Sequence, residues 1–265
     1  MEPGVSKLLI EGVSRTFAGV RGGQPVQALQ PVDLSVAAND FITILGPSGC
    51  GKSTLLRIVA GLEAPSTGRV LLDGKAVTRP GPDRGMVFQS YTLFPWLTVA
   101  ENIGFGLRER SMAQRERDGI VASYVDLVGL KGFESHWPKQ LSGGMQQRTA
   151  IARALANDPE ILLLDEPFGA LDNQTRGLMQ ELLLGIWERR KKTVLFVTHD
   201  IEEAIFMASR VIVMSARPGR IKSDVAVELP HPRHYTLKTS LEFSQIKAQL
   251  TEDIRVEAMR TVVTH

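Results

Sequence analysis

Cysteine is nearly missing from this chain: Cys50 is the only one among 265 residues. That excludes an internal disulfide and the small secreted, disulfide-stapled domain, and it points to a reducing compartment. Long apolar runs are missing too. The longest, such as Ile161 to Leu164 and Val194 to Val197, have the length of strands, against the roughly 20 residues that cross a bilayer, so any membrane role is expected to be peripheral. Met1 to Leu9 carries Glu2 and Lys7 ahead of an alternating stretch, which is not the pattern of a signal peptide. Charge of one sign is also lacking. Lys and Arg number 31 against 29 acidic residues, a net charge of +2, so no broad basic field offers itself to nucleic acid, which is not expected as a partner. What is present, 43% hydrophobic and 23% charged residues, suits a folded globular chain of one large domain or two small ones.

Leu8, Ile10, Val13 and Phe17, and then Val32, Leu34 and Val36, alternate with polar neighbours as half-buried antiparallel strands do, with a glycine-rich turn at Gly19 to Gly23 between them. Phe41 to Leu45 reads as a short apolar strand, followed by a glycine-rich loop and a helix from Ser53 to Ala60. Residues 98 to 135 look mainly helical. After them the pattern predicts a helix to Ala156, a strand at Ile161 to Leu164, a helix around Arg176 to Arg189, a strand at Val194 to Val197 and a helix from Ile201 to Ala208. Strands alternating with helices imply an α/β fold with a mostly parallel sheet. Arg190 to Lys192 reads as a solvated helix terminus. The residues from His231 onward are polar and partly helical, with no identifiable chemistry.

Gly46, Pro47, Ser48, Gly49, Cys50, Gly51, Lys52 and Ser53 fit the phosphate-loop pattern, and they stand where it needs to stand, after a strand and opening a helix. The glycines let backbone N–H groups close around phosphate oxygens, and the helix terminus adds its dipole. Lys52 is expected to reach the β- and γ-phosphates, Ser53 to bind Mg²⁺, and Thr54 to add a further phosphate contact. Kinases, GTPases and motors share such a loop. Ile161 to Leu164 then delivers two carboxylates to the end of a buried strand. Asp165 is the expected metal-side carboxylate, and Glu166 the expected general base that orients and polarises water at the γ-phosphate.

A third motif precedes the helix from Gln146 to Ala156: Leu141, Ser142, Gly143, Gly144 and Met145, with Ser142 a plausible N-cap and bare N–H groups on the glycines. Together with the other two it resembles the signature sequence of the ABC ATPases, and the resemblance covers roughly residues 8 to 222. It implies a P-loop NTPase fold of the ABC type, with a RecA-like core, an N-terminal antiparallel β-subdomain and an inserted α-helical subdomain at about residues 93–147. The nucleotide-binding domain would span residues 1–230, and a short helical tail residues 231–265. The resemblance makes Gln89 the glutamine that senses Mg²⁺ and attacking water, and His199 the switch histidine near the γ-phosphate. It makes Asp172 the aspartate of the following loop and Phe17 the aromatic that stacks on adenine. Met145 stands where glutamine is common and Phe17 where tyrosine is frequent; neither change removes a phosphate or metal contact.

In such proteins two copies face each other head to tail, and the serine and glycines of one signature close over the ATP held by the other's phosphate loop. The expected partners are therefore a second copy of this chain, membrane permease subunits docking near Tyr91 to Val99 and, through them, a periplasmic or extracellular solute-binding protein. The place of action would be the cytoplasmic face of a bacterial inner membrane. Phe94-Pro95-Trp96, the stretch from Asp200 to Met207 and Arg217-Pro218-Gly219-Arg220 resemble the importers of nitrate, sulfonates and taurine. The function implied is ATP hydrolysis that drives such an importer. The alternatives are an ABC ATPase regulator with no transport role and an importer of another small solute.

Overall fold

A computed structural model describes residues 6–19, 23–90, 92–110 and 112–263 of the chain. In chain order the strands and helices run β1 (Leu8–Phe17), β2 (Val26–Val36), β3 (Phe41–Leu45), α1 (Lys52–Val59), β4 (Thr67–Leu72), β5 (Lys75–Ala76) and β6 (Arg84–Val87). Then come α2 (Val99–Ile103), α3 (Phe105–Glu109), α4 (Gln114–Leu127), α5 (Gly143–Ala156), β7 (Ile161–Asp165) and α6 (Asn173–Arg190). The last are β8 (Thr193–Thr198), α7 (Ile201–Met207), β9 (Arg210–Met214), β10 (Ile221–Ala226) and α8 (Leu241–Val263). They fall into two compact units, one of Met1–Gly81 with Arg190–His265 and one of Pro82–Arg189.

The first unit holds an antiparallel sheet in the order β2-β1-β4-β5. Its strands alternate because only one face is covered: Leu8, Ile10, Val32, Leu34 and Val36 turn inward while their neighbours meet water. The same unit holds a parallel group in which β3 pairs with β8 and with β9, and β10 closes antiparallel on β9. All five residues of β3 and all six of β8 are buried, as expected of strands covered on both faces. Helices α1 and α7 pack on this group, and α8 packs against α7 and β9.

In the second unit β6 pairs in parallel with β7, whose five residues are all buried. Helices α2, α3 and α4 pack against α5. Tyr124 fixes the contact of α4 with α5 by donating its hydroxyl to Leu155 O at 2.9 Å. The expected α/β fold and N-terminal antiparallel sheet are observed. The strands β4, β5, β6, β9 and β10 are not among the elements expected from the sequence. Residues 20–22 of the expected glycine-rich turn, and Tyr91, lie outside the described residues.

Candidate functional site

In the first unit the phosphate-loop motif forms a tight loop at the head of a helix. The loop 46–51 joins β3 to α1, and Gly51, at φ 99°, caps α1 with no side-chain hydrogen bond to its first turn. Glycine offers no side-chain acceptor at the head of α1, and the positive end of the helix dipole faces the loop. Two glycines are sterically required: a Cβ on Gly51 would stand 2.6 Å from Leu29 Cδ2, and one on Gly46 would stand 2.9 Å from Met214 O. Lys52 is 5% exposed and folds back over its own loop, donating Nζ–H to Gly46 O at 2.8 Å and to Pro47 O at 3.0 Å. Its charge is thereby held over the loop. Ser53 and Thr54 follow, half-buried, and Ser48 and Gly49 are exposed at the rim.

Cys50 is fully buried between them, and that burial pushes its thiol above the ordinary range, against the opposing effect of Lys52. The folded chain is therefore expected to resist iodoacetamide at neutral pH and to label readily in denaturant. Rapid labelling of the folded chain would show that the loop does not hold this conformation.

Two more sequence-predicted residues lie in this unit. Phe17, at the end of β1, is 37% exposed, and the Arg15 guanidinium sits 4.6 Å from its ring centroid. Phe17 is thus a surface ring with a guanidinium over it, not a core phenylalanine. His199 is exposed just beyond β8, ahead of the N-cap of α7. Asp200 makes that cap by accepting from Glu203 N–H at 3.0 Å, while its own N–H donates to Thr198 Oγ1 at 3.0 Å, so the backbone carrying His199 is tied on its C-terminal side.

The second unit gathers the carboxylates. Asp165 ends β7 and is 2% exposed, and Glu166 follows it half-buried. Glu166 adopts φ 44°, which costs a non-glycine residue roughly 1–2 kcal/mol, the kind of strain found at working positions. Gln89, just beyond β6, donates Nε2–H to Glu166 Oε2 at 3.0 Å. The sequence placed these two residues 77 positions apart; the parallel pairing of β6 with β7 brings them together. Asp172 N-caps α6 through bonds from the N–H groups of Gln174 and Thr175 at 3.1 and 3.0 Å. Hydrogen bonds from the Thr175 side chain and backbone hold its carboxyl below the usual range. Ser142 caps α5 by accepting from Met145 N–H at 3.3 Å. Gly143 opens that helix and Gly144 lies buried, with room for no Cβ, since one would stand 2.8 Å from Thr175 Cγ2.

The aromatic stretch is also resolved into inside and outside. Trp96 is 66% exposed, whereas Phe94 is half-buried between Trp96, at 5.6 Å between centroids, and Phe105, at 4.5 Å. Arg153 lies 5.2 Å above the Phe94 ring. A residue the sequence reading passed over holds this stretch in place. Asn102, fully buried, accepts from Phe94 N–H at 2.9 Å, and its NH₂ lies 3.0–3.2 Å from the carbonyls of Phe94, Leu97 and Thr98. An asparagine four residues past the Thr98 cap was the available signal. Asn102→Ala takes this partner from Phe94 N–H and Leu97 O, while Phe94 O and Thr98 O keep their bonds from Leu97 N–H and Asn102 N–H, so it is expected to cost roughly 2–4 kcal/mol and to lower the denaturation midpoint. An unchanged midpoint would show that these bonds hold nothing.

Comparison with known proteins agrees with these motifs. The sequence model of the family described as ABC transporter matches residues 29–169. An uncharacterised ABC transporter ATP-binding protein of Methanocaldococcus jannaschii is 51% identical over 256 residues, 97% of this chain and 94% of that one. The aliphatic sulfonates import ATP-binding protein SsuB of Bacillus cereus is 47% identical, with 92% of this chain and 94% of that one covered. The nitrate import ATP-binding protein NrtD of Synechocystis is 46% identical, with 94% and 95% covered. Among solved structures, the dimeric post-hydrolysis state of the ATP-binding cassette MJ0796 bound to ADP and Pi matches at TM-score 0.74 and 35% identity, covering 84% of this chain and all of that one.

Proposed function

Because the chain belongs to the ABC transporter family, we propose that it is the ATP-hydrolysing subunit of a membrane importer for a small solute, an aliphatic sulfonate, taurine or nitrate. The observation that carries ATP binding is the phosphate loop: a glycine at the head of α1 and a buried Lys52 folded back over the loop carbonyls. Lys52 and the loop bind the phosphates, Phe17 takes the adenine, and Glu166, oriented by Gln89, draws the proton from attacking water, with His199 steadying the γ-phosphate.

The candidate metal donors, the Ser53 hydroxyl, the Gln89 amide and the Asp165 carboxylate, are all hard oxygens, which suits Mg²⁺. Among the described residues no group of three His, Cys, Asp or Glu is placed to hold a metal unaided. That fits an ion that arrives with the nucleotide and keeps part of its water shell. When bound, it would neutralise charge on the β- and γ-phosphates.

A second copy completes the site. Ser142, Gly143 and Gly144 of one chain present N–H groups to the γ-phosphate held by the other, and Asp172 lies in the loop beside that junction. The MJ0796 cassette has been solved as a dimer, which supports this arrangement. The domain reading belongs with it: a nucleotide-binding domain over residues 1–230, with its helical subdomain at about 93–147, and a helical tail over 231–265.

No helix of the described residues is long and apolar enough to cross a membrane. The exposed Trp96 anchors docking to permease subunits at the membrane surface, since a large exposed aromatic set on a fixed backbone is the usual centre of an interface. The names of the sulfonate and nitrate relatives support import, and a solute-binding protein would deliver the solute to the permease. The test is phosphate release by the purified chain with and without permease subunits in vesicles. Stimulation is expected, and Trp96→Ala should remove it while leaving the unstimulated rate unchanged. A rate indifferent to the permease would favour a regulator that uses ATP without transport.

A further inference from the structure

The turn after β9 lies against the phosphate loop. Its base is closed by Ser215, whose N–H donates to Arg220 O at 2.9 Å and whose Oγ accepts from Arg220 N–H at 3.1 Å. Within the turn, Gly219 bridges to β2: its N–H donates to Ala28 O, and its O accepts from Gln30 N–H, both at 2.9 Å. A Cβ on Gly219 would stand 1.9 Å from Cys50 O, so the turn and the phosphate loop touch backbone to backbone. Arg217, exposed at the tip, donates Nε–H to Gly49 O at 3.1 Å.

The other side of the turn is held by the C-terminal helix. Ala216 N–H donates to Glu257 Oε2 at 3.0 Å, and Glu257 is 1% exposed. Lys222 Nζ stands 3.4 Å from Glu257 Oε1 and 3.4 Å from Asp253 Oδ1, which pins α8 to β10 at the same place. A continuous set of contacts thus runs from Glu257 through Ala216 and Arg217 to Gly49.

Gly49 is the weak point of the cradle. It adopts φ 74°, which glycine reaches without steric cost and leaves as easily. Because the peptide group is planar, an anchor on Gly49 O fixes the direction of the Cys50 N–H on the opposite edge of the same plane. Resting on the reading of residues 46–53 as the nucleotide cradle, we propose that Arg217 is a positioning residue for nucleotide binding. It holds the phosphate loop through Gly49, and Glu257 of the C-terminal helix sets it.

The test uses the full chain, with calorimetric titration of ADP and ATP and steady-state hydrolysis of MgATP. Arg217→Ala removes one charge-assisted bond to an exposed carbonyl, so both dissociation constants should rise about threefold to tenfold, by the same factor. KM should rise with them, while kcat at saturating MgATP moves less than about twofold and the nucleotide-free thermal midpoint stays put, because Arg217 is exposed. Glu257→Gln keeps an acceptor for Ala216 and should bind ADP nearly as the wild type does. Glu257→Ala should weaken binding, and adding Arg217→Ala to it should have little further effect. If Glu257→Ala does not fold, Arg217→Ala decides alone. Wild-type affinity in Arg217→Ala, or a loss confined to kcat, overturns the proposal. A wild-type chain that binds neither ADP nor ATP removes the nucleotide reading itself.

Discussion

Glu166→Gln leaves ATP bound and uncleaved: phosphate release falls by about 10²–10⁴-fold, the usual contribution of a positioned general base. The substitution keeps the side chain's size and an oxygen for the Gln89 amide, which now donates to Glu166 Oε2 at 3.0 Å, so position survives while the capacity to take a proton is lost. Removing a negative charge beside the γ-phosphate also favours the ATP-bound form. Light scattering with ATP should therefore show a stable species of twice the 29.1 kDa of one chain, and the same sample without ATP should not. Wild-type turnover in this variant would move the base to another residue.

Lys52→Ala acts one step earlier. In the free chain Lys52 bonds to Gly46 O and Pro47 O, so alanine loses both the charge offered to the phosphates and an internal strut of the loop. Charge-assisted bonds of this kind contribute ~1.5–3 kcal/mol each, which predicts a loss of ATP affinity of roughly 10²-fold, and hydrolysis falls with it. Titration with ATP and ADP measures this directly, and both nucleotides should weaken. Wild-type affinity in this variant would contradict the cradle.

The elements legible in the sequence are those with local signatures. Phe41–Leu45 and Ile161–Asp165 stand out because strands buried on both faces are apolar throughout, and the phosphate loop because its spacing is itself the mechanism. Strand β6, Arg84–Val87, has no local signature: it is four residues long, carries Arg84 and Gly85, and becomes a strand only through its pairing with β7. Strand β9 follows α7 so closely that its apolar run merges with the helix pattern.

At the site, the sequence alone could not say whether Phe17 was core or which side of the aromatic stretch faced water. Exposure separates Phe17 and Trp96 from the half-buried Phe94. The tail from His231 showed no chemistry because its contribution is a contact between Glu257 and Ala216, 41 residues apart, and no local pattern announces a bond of that separation.

Complementation between two defective chains tests the central claim most directly. Lys52→Ala has no working phosphate loop but an intact signature; Gly143→Asp keeps its phosphate loop and sets a carboxylate where the partner's γ-phosphate would approach, which repels it. Each alone should hydrolyse ATP at background rate. Mixed in equal amounts, they form some dimers in which the sound phosphate loop of one faces the sound signature of the other, and phosphate release should recover to a clear fraction of the wild-type rate. A mixture no more active than its separate components would contradict a site shared between two copies.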